Sequence, residues 1–207
     1  MIALTSCRPM GSNPEYDNNQ FNAWASWQTA FSQIVYFNET QSELQSDNTL
    51  FIKSEPFPHL WKFVEWAAWQ SDWCCVINAD IVIAGNWVHA LRAVQVKRAL
   101  CFTSWRYEFT PQSGFNGARV VDCGIDIFAA SPEMWKMVFQ HIPENIRIGC
   151  QQWDSWMLGA FGEIAANRFV AVTNHKCVFH PKHGNRQYGG DVGKVEMMRH
   201  SVWPAEI

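Results

Sequence analysis

Apolar and polar residues alternate along the chain in a pattern typical of an α/β protein. Short apolar runs rich in Val, Ile and Cys indicate strands that are buried on both faces of a sheet. Between them, apolar residues recur at the spacing of amphipathic helices. The predicted strands cover residues 1–6, 34–37, 73–77, 99–105, 118–121, 125–130 and 168–172, with helices over 19–33, after Pro58, after Asn86, from 131 and over 152–161. Parallel strands need such crossovers, so we expect one α/β domain, residues 1–207, with a mostly parallel central sheet flanked by helices.

The most informative apolar run, residues 73–83, is interrupted by the polar step Asn78-Ala79-Asp80. Removing the hydration of a carboxylate is costly, so we expect Asp80 at the exit of a strand with a partner such as a metal ion. Ligands bind at the carboxyl ends of strands in open α/β sheets. Asp80 therefore predicts a ligand site, and the alternative is an Asp that caps the helix starting near Gly85.

Composition narrows the class of protein. With 207 residues, 48% hydrophobic and 17% charged, the chain can bury one full-sized core and is not typical of disorder. Its net charge of -3 gives no overall electrostatic footprint for nucleic acid. Among 12 Trp, we expect most in the core or a pocket wall and a minority that stack on a sugar or base.

Cysteine usage and hydropathy bear on the compartment. The seven Cys include no Cys-x-x-Cys pair and form an odd count, which favours free thiols in a reducing compartment. No basic-then-apolar leader and no apolar run long enough to span a membrane are visible. We therefore expect a cytoplasmic protein, in the host cytoplasm if it is viral.

Four motifs follow one another along the chain. They are Asn78-Ala79-Asp80 after a strand, Gly124-Ile125-Asp126-Ile127-Phe128 before a Ser-Pro helix start, Trp153-Asp154-Ser155-Trp156 at a helix start, and His180-Pro181-Lys182-His183. Their order resembles that of the GT-A class of nucleotide-sugar glycosyltransferases over about residues 1–185. The resemblance implies a GT-A-like, Rossmann-like nucleotide-binding half over about 1–105 and an acceptor half over about 106–185. It also implies a UDP- or GDP-sugar donor and a hydroxyl acceptor. Residues 186–207 would form a basic C-terminal tail.

The resemblance also implies a divalent ion, because the class uses an Asp-x-Asp motif to hold a metal against the donor diphosphate. Mn²⁺ or Mg²⁺ would suit this role, with Asp80 and His180 as its ligands. This chain departs from the motif at Asn78, which we expect to contact the donor ribose or a bridging water instead. A metal-free reaction is an alternative. His180 and His183 also fit a zinc pair, although no nearby Cys or third ligand has structural-zinc spacing.

Three further residues are expected on the donor side. Thr5 and Arg8 lie at and just beyond the end of the first strand, and the planar fork of an Arg bonds phosphate oxygens in pairs. Lys182 lies in a Gly-rich region, 174–200, whose five Lys or Arg and two acidic residues give a net charge of +3. Such a region suits a mobile lid over a diphosphate. The alternative for Arg8 is a solvated loop residue, and the alternative for the region 174–200 is a solvated basic surface.

Two carboxylates are expected to take part in catalysis. By resemblance, Asp126 would bind donor-sugar hydroxyls and Asp154 would be the general base that takes the proton of the acceptor hydroxyl. The alternatives are a turn residue for Asp126 and a helix N-cap for Asp154. Inversion and retention at the sugar both remain open.

The acceptor is a separate hypothesis. The Trp content and the local basic charge favour a hydroxymethylated pyrimidine in DNA, as modified by virus-encoded transferases, with a glycan or small molecule otherwise. One rival is a non-catalytic carbohydrate- or nucleotide-binding module on the same scaffold. A nucleotidyltransferase would want a Gly-rich phosphate loop near the N-terminus, for which Gly11 alone is poor support.

Overall fold

The computed structural model describes residues 1–11, 13–148, 153–183 and 203–207, and only the backbone at 122–123. The strands are β1 (Ile2–Thr5), β2 (Gln33–Asn38), β3 (Thr49–Lys53), β4 (Cys74–Ile77), β5 (Val82–Ile83), β6 (Cys101–Phe109), β7 (Arg119–Ala130), β8 (Phe169–Ala171), β9 (Val178–Pro181) and β10 (Ala205–Glu206). The α-helices are α1 (Pro14–Ala30), α2 (Leu60–Ala68), α3 (Trp87–Val96), α4 (Pro132–Phe139) and α5 (Trp153–Ala165).

One mixed sheet organises these elements, in the order β10-β8-β6-β7-β4-β1-β2-β3, with β9 bridging β6 and β5. The strands β4, β1, β2 and β3 are mutually parallel, as the βαβ pattern predicted. Strand β7 is antiparallel to β6, which it follows without a crossover helix, and it is also antiparallel to its other neighbour, β4. The expected mostly parallel sheet is therefore confirmed, because β8 also runs parallel to β6 and β10, and its antiparallel pairs are those of β7 and of β5 with β9.

Helices cover both faces of the sheet, and successive strand residues serve opposite faces. In β1, Ile2 and Leu4 join the core cluster that contains α2, α4 and α5, whereas Ala3 joins the cluster that contains α1 and α3. This α/β/α layering buries the central strands on both sides, which explains their uninterrupted apolar sequence. Among the described residues, no helix combines the length and apolar character needed to cross a membrane.

Local capping fixes two helix starts. The Ser131 hydroxyl accepts a hydrogen bond from the Met134 backbone N–H, and Pro132 fills the first turn of α4, as the sequence predicted. The Asn13 side chain accepts a hydrogen bond from the Glu15 backbone N–H, so α1 begins five residues before the predicted start at 19. The first turns of α1 contain mostly polar residues, so the apolar spacing that predicted this helix does not extend to its start.

The region around β6 and β7 differs from the prediction. Strand β6 runs to Phe109, beyond the predicted end at 105, and the two strands predicted over 118–121 and 125–130 form the single strand β7. Tyr107 pairs with both Val120 of β7 and Phe179 of β9. These long-range pairings order a polar segment, and β9 itself was not predicted.

Candidate functional site

A cleft of about 450 Å³ opens at the carboxyl ends of β1, β2 and β4. Its walls come from residues 6–10 after β1, 38–43 after β2 and 78–80 after β4. Arg106 of β6, together with His180 and His183, also lines it. This is the position where open α/β sheets bind ligands. Among the described residues, Tyr16 and Phe57 line the cleft and no Trp does.

Asp80 is the centre of a three-residue cluster in this cleft. Its Oδ2 lies 3.3 Å from Nε2 of His180 and 3.1 Å from Nε2 of His183. Burial alone would raise the pKa of Asp80, but the hydrogen bonds and positive charge of the two histidines hold that pKa well below its ordinary value. The carboxylate is therefore ionised at neutral pH.

The donor set of this cluster fits a divalent metal ion. The potential ligand atoms of Asp80, His180 and His183 all lie within 4.8 Å of one another. Around an ion bound at about 2.1 Å, neighbouring ligand atoms lie about 3.0 Å apart in octahedral geometry and about 3.4 Å apart in tetrahedral geometry. The observed spacings of 3.1 and 3.3 Å match this range. One carboxylate with two imidazoles suits Mn²⁺ and Zn²⁺ better than Mg²⁺, which prefers oxygen ligands.

The structure brings Asp80 and His180 together, as the sequence analysis expected for metal ligands. His183 was considered only as a zinc partner of His180, and the zinc pair was set aside for lack of a third ligand. Asp80 supplies that third position from 103 residues away in the chain. Local ligand spacing could not reveal it, because the loop after β4 meets β9 only in the folded sheet.

Asn78, Asp126 and Arg106 form a second connected group at the edge of the cleft. The Asn78 amide Nδ2 donates to Oδ1 of Asp126 at 2.5 Å, and the Asn78 backbone N–H donates to the Asp126 carbonyl oxygen at 3.1 Å. Arg106 donates through Nη1 to Oδ2 of Asp126 and through Nη2 to Glu108 at 3.1 Å. Burial would lower the pKa of Arg106, but these two carboxylates outweigh it and raise that pKa. Asp126 itself is only 6% exposed.

Asp154 lies in the first turn of α5, where its Oδ1 accepts a hydrogen bond from the Ser155 backbone N–H at 2.8 Å. Burial raises the pKa of Asp154 above its ordinary value, and the negative charge of Asp126 adds to this, while Arg106 opposes it. Asp154 is thus electrostatically coupled to the Asp126–Arg106 pair, although it does not line the cleft. A carboxylate whose pKa is raised is a better proton acceptor than one with the ordinary pKa.

The three predicted donor-side residues have different positions. Thr5 is fully buried, and its hydroxyl donates to the Ile77 carbonyl oxygen at 2.7 Å, so it joins β1 to β4 and does not face the cleft. Arg8 lines the cleft, with its guanidinium 4.4 Å from the centre of the Tyr16 ring. Lys182 is exposed and lies outside the cleft lining. Of the predicted basic lid, residues 174–200, the part from 184 onwards lies outside the described residues.

Sequence reasoning missed residues that shape the cleft wall. The Asn38 side-chain oxygen accepts hydrogen bonds from the Cys7 backbone N–H at 3.0 Å and the Ser6 hydroxyl at 3.1 Å. The Gln20 side chain accepts a hydrogen bond from the Arg8 backbone N–H at 2.7 Å. These contacts hold the loop after β1 against β2 and α1. The one available signal was a polar residue, Asn38, at the end of a buried strand.

Comparison of the sequence with protein-family models and with curated proteins finds no match. In structure, the chain is similar to TarS 1-349 from S. aureus in complex with UDP-GlcNAc, with a TM-score of 0.58 and 11% identity over 90% of this chain and 59% of that chain. A second structure of TarS 1-349 gives a TM-score of 0.52 and 10% identity over 87% of this chain and 60% of that chain.

Bifunctional IspDF from Campylobacter jejuni is less similar, with a TM-score of 0.48 and 14% identity over 83% of this chain and 49% of that chain, and we base no argument on it. The chain spans 59% of the TarS structure. The likeness to the two TarS structures shows a GT-A-like, Rossmann-like α/β fold, as the motif order implied, and at such low identity it shows the fold alone.

Proposed function

We propose that the chain is a glycosyltransferase that moves a sugar from a UDP- or GDP-sugar to a hydroxyl acceptor. The observation that carries the proposal is the convergence of Asp80, His180 and His183 on a cleft at the carboxyl ends of parallel strands in a GT-A-like fold. One carboxylate and two imidazoles beside the cleft can hold a divalent ion. Such an ion would bind the diphosphate of the donor and stabilise it as a leaving group.

The donor would lie in the cleft, whose volume of about 450 Å³ is in the range of small-molecule sites. Asp80, His180 and His183 would hold the divalent ion, with Mn²⁺ preferred over Mg²⁺. A bound ion would neutralise the diphosphate and stabilise its charge as a leaving group. Arg8 would meet a phosphate oxygen from the loop after β1. Lys182 remains a proposed donor contact that would have to move towards the cleft.

On the acceptor side, Asp154 would take the proton from the attacking hydroxyl. Its raised pKa supports this role, because a base works best when its pKa approaches the operating pH. The predicted contact of Asp126 with donor-sugar hydroxyls remains a proposal. Both carboxylate oxygens of Asp126 already accept hydrogen bonds, from Asn78 and Arg106.

The acceptor hypothesis, a hydroxymethylated pyrimidine in DNA, also remains a proposal. A direct test incubates the protein with labelled sugar nucleotide and Mn²⁺, and compares hydroxymethylated with unmodified duplex DNA. Label in the modified DNA alone would support it. Transfer to a free sugar or glycan with no DNA labelling would reject the DNA acceptor and keep the glycosyltransferase.

A thermal-shift panel of UDP- and GDP-sugars, with and without Mn²⁺, tests the donor site. A donor at about 100 times its Kd stabilises the native state by about 2.7 kcal/mol, which for this size corresponds to roughly 5–10 °C. We expect that shift for one nucleotide class and only in the presence of the ion. If no sugar nucleotide shifts the melting temperature while a free glycan does, the rival reading of a carbohydrate-binding module replaces the proposal.

A further inference from the structure

The residue in the first position of the Asn78-Ala79-Asp80 step faces a buried carboxylate. Nδ2 of Asn78 lies 2.5 Å from Oδ1 of Asp126, and a backbone hydrogen bond of 3.1 Å holds the two residues in register. An Asp at position 78 would place two carboxylate oxygens at this distance, which strongly disfavours having both ionised. The neighbour thus accounts for an amide where the resembled motif has an acid.

The same hydrogen bond fixes which way the amide points. Because Nδ2 is directed at Asp126, the carbonyl oxygen Oδ1 of Asn78 lies on the opposite branch of the side chain, and Asn78 lines the cleft two residues before Asp80. Within the described part of the chain, this oxygen accepts no hydrogen bond. An amide oxygen accepts hydrogen bonds from hydroxyl groups.

Arg106 holds Asp126 in place from the other side. Its Nη1 donates to Oδ2 of Asp126, and the Arg106 side chain passes so close to Gly124 that a Cβ there would lie 2.6 Å from Nε. Pairing between β6 and β7 is irregular on both sides of Trp105. A side chain larger than glycine at 124 would therefore force the Arg106 side chain away from its present position beside Asp126.

We propose that Arg106 is a positioning residue, which through Asp126 turns the carbonyl oxygen of Asn78 into the cleft to accept a hydrogen bond from a hydroxyl of the donor. This inference rests on the proposed function. It makes Asp126 a positioning carboxylate whose partners are Asn78 and Arg106, and it makes an amide at position 78 a requirement of the site.

A melting series tests the pair without any donor. Asn78→Asp should lower the melting temperature by about 3–8 °C, because it opposes two carboxylates. Asn78→Asp with Asp126→Asn should recover about half of the loss, since amide and carboxylate exchange places. The pairing would be overturned if Asn78→Asp has the melting temperature of the wild type. It would also be overturned if the double variant melts no higher than Asn78→Asp alone.

Donor binding tests the positioning role. UDP-GlcNAc, UDP-glucose and GDP-mannose are titrated into the wild type with Mn²⁺, and the tightest binder is used throughout. Arg106→Met should raise the Kd for this donor about tenfold. Arg106→Lys should keep the Kd within about threefold of the wild-type value, because Lys retains a positive charge beside Asp126. The Kd for Mn²⁺ alone should change less than twofold in both. Arg168→Met, which alters an exposed Arg, is the matched control and should change neither Kd.

The outcomes separate this inference from the proposed function. The positioning role is overturned if a folded Arg106→Met protein binds the donor with the wild-type Kd. It is also overturned if Arg106→Lys binds the donor as weakly as Arg106→Met does. Wild-type protein that binds none of the three donors overturns the proposed function and, with it, the donor contact of Asn78. The melting series decides the Asn78–Asp126 pair in either case.

Discussion

Replacing Asp80 by Asn keeps the shape of the side chain and removes its charge. In the wild type, Oδ2 of Asp80 meets Nε2 of His180 at 3.3 Å and Nε2 of His183 at 3.1 Å, and the side chain is 23% exposed. A hydrogen bond to a charged group contributes about 1.5–3 kcal/mol, and the Asn oxygen retains part of one. We expect the metal-free variant to lose about 2 kcal/mol of unfolding free energy, or roughly 4–8 °C in melting temperature.

The effect on metal binding should be larger. Asp80 is the one anionic member of the three clustered ligands, so its loss should weaken Mn²⁺ binding at least about 100-fold, or about 2.7 kcal/mol. Titration of free Mn²⁺ by electron paramagnetic resonance measures this directly. Asp72→Asn, at an exposed carboxylate outside the cleft, is the control and should bind Mn²⁺ as the wild type does. An Asp80→Asn protein with the wild-type Kd for Mn²⁺ would refute the metal assignment.

Three further predictions follow from single side chains. Hydrogen bonds, chiefly from Lys62, overcome the opposing effect of burial and lower the pKa of Glu55 to about 2, so this carboxylate stabilises the fold above its unfolded pKa and the effect is lost as pH falls towards 2. Glu55→Gln should therefore cost about 1–2 kcal/mol at pH 7 in urea unfolding and little at pH 2, after discounting for solvent screening. Asp154→Asn should lower kcat by about 10²–10⁴ with an unchanged donor Kd, and the acid limb of the wild-type kcat profile should lie above the ordinary pKa of Asp. Gly124→Ala should destabilise the protein by about 1–3 kcal/mol in urea unfolding, because its Cβ would contact Arg106; a variant as stable as the wild type would contradict that close approach.

The first half of the fold could be predicted because its signals are local. Strands β1, β2 and β4 are buried on both faces, so their sequences are continuous apolar runs, and the capping residues of α4 are visible as Ser131-Pro132-Glu133. The extension of β6 to Phe109, the continuity of β7 and the strand β9 could not be predicted in the same way. They depend on pairings such as Tyr107 with Phe179, which no local pattern reports.

The candidate site divides along the same line. Asp80 follows a predictable strand, whereas Arg106 lies just beyond the predicted end of a strand at 105 and meets its partner Asp126 20 residues away in the chain. Thr5 is the converse case, because its place at the end of a strand was predictable but its hydrogen bond to Ile77 was not. The position of a residue along the chain therefore predicted that it lies at the edge of the sheet. Whether its side chain faces the cleft depends on long-range contacts that the sequence pattern does not indicate.

The most direct test of the account is anomalous diffraction at the manganese edge from crystals grown with Mn²⁺ and the donor that gives the largest thermal shift. We predict a manganese peak bonded to Oδ2 of Asp80 and to Nε2 of His180 and His183, with the donor diphosphate beside it in the cleft near Arg8. Manganese bound elsewhere, or a nucleotide sugar outside this cleft, would contradict the central claim.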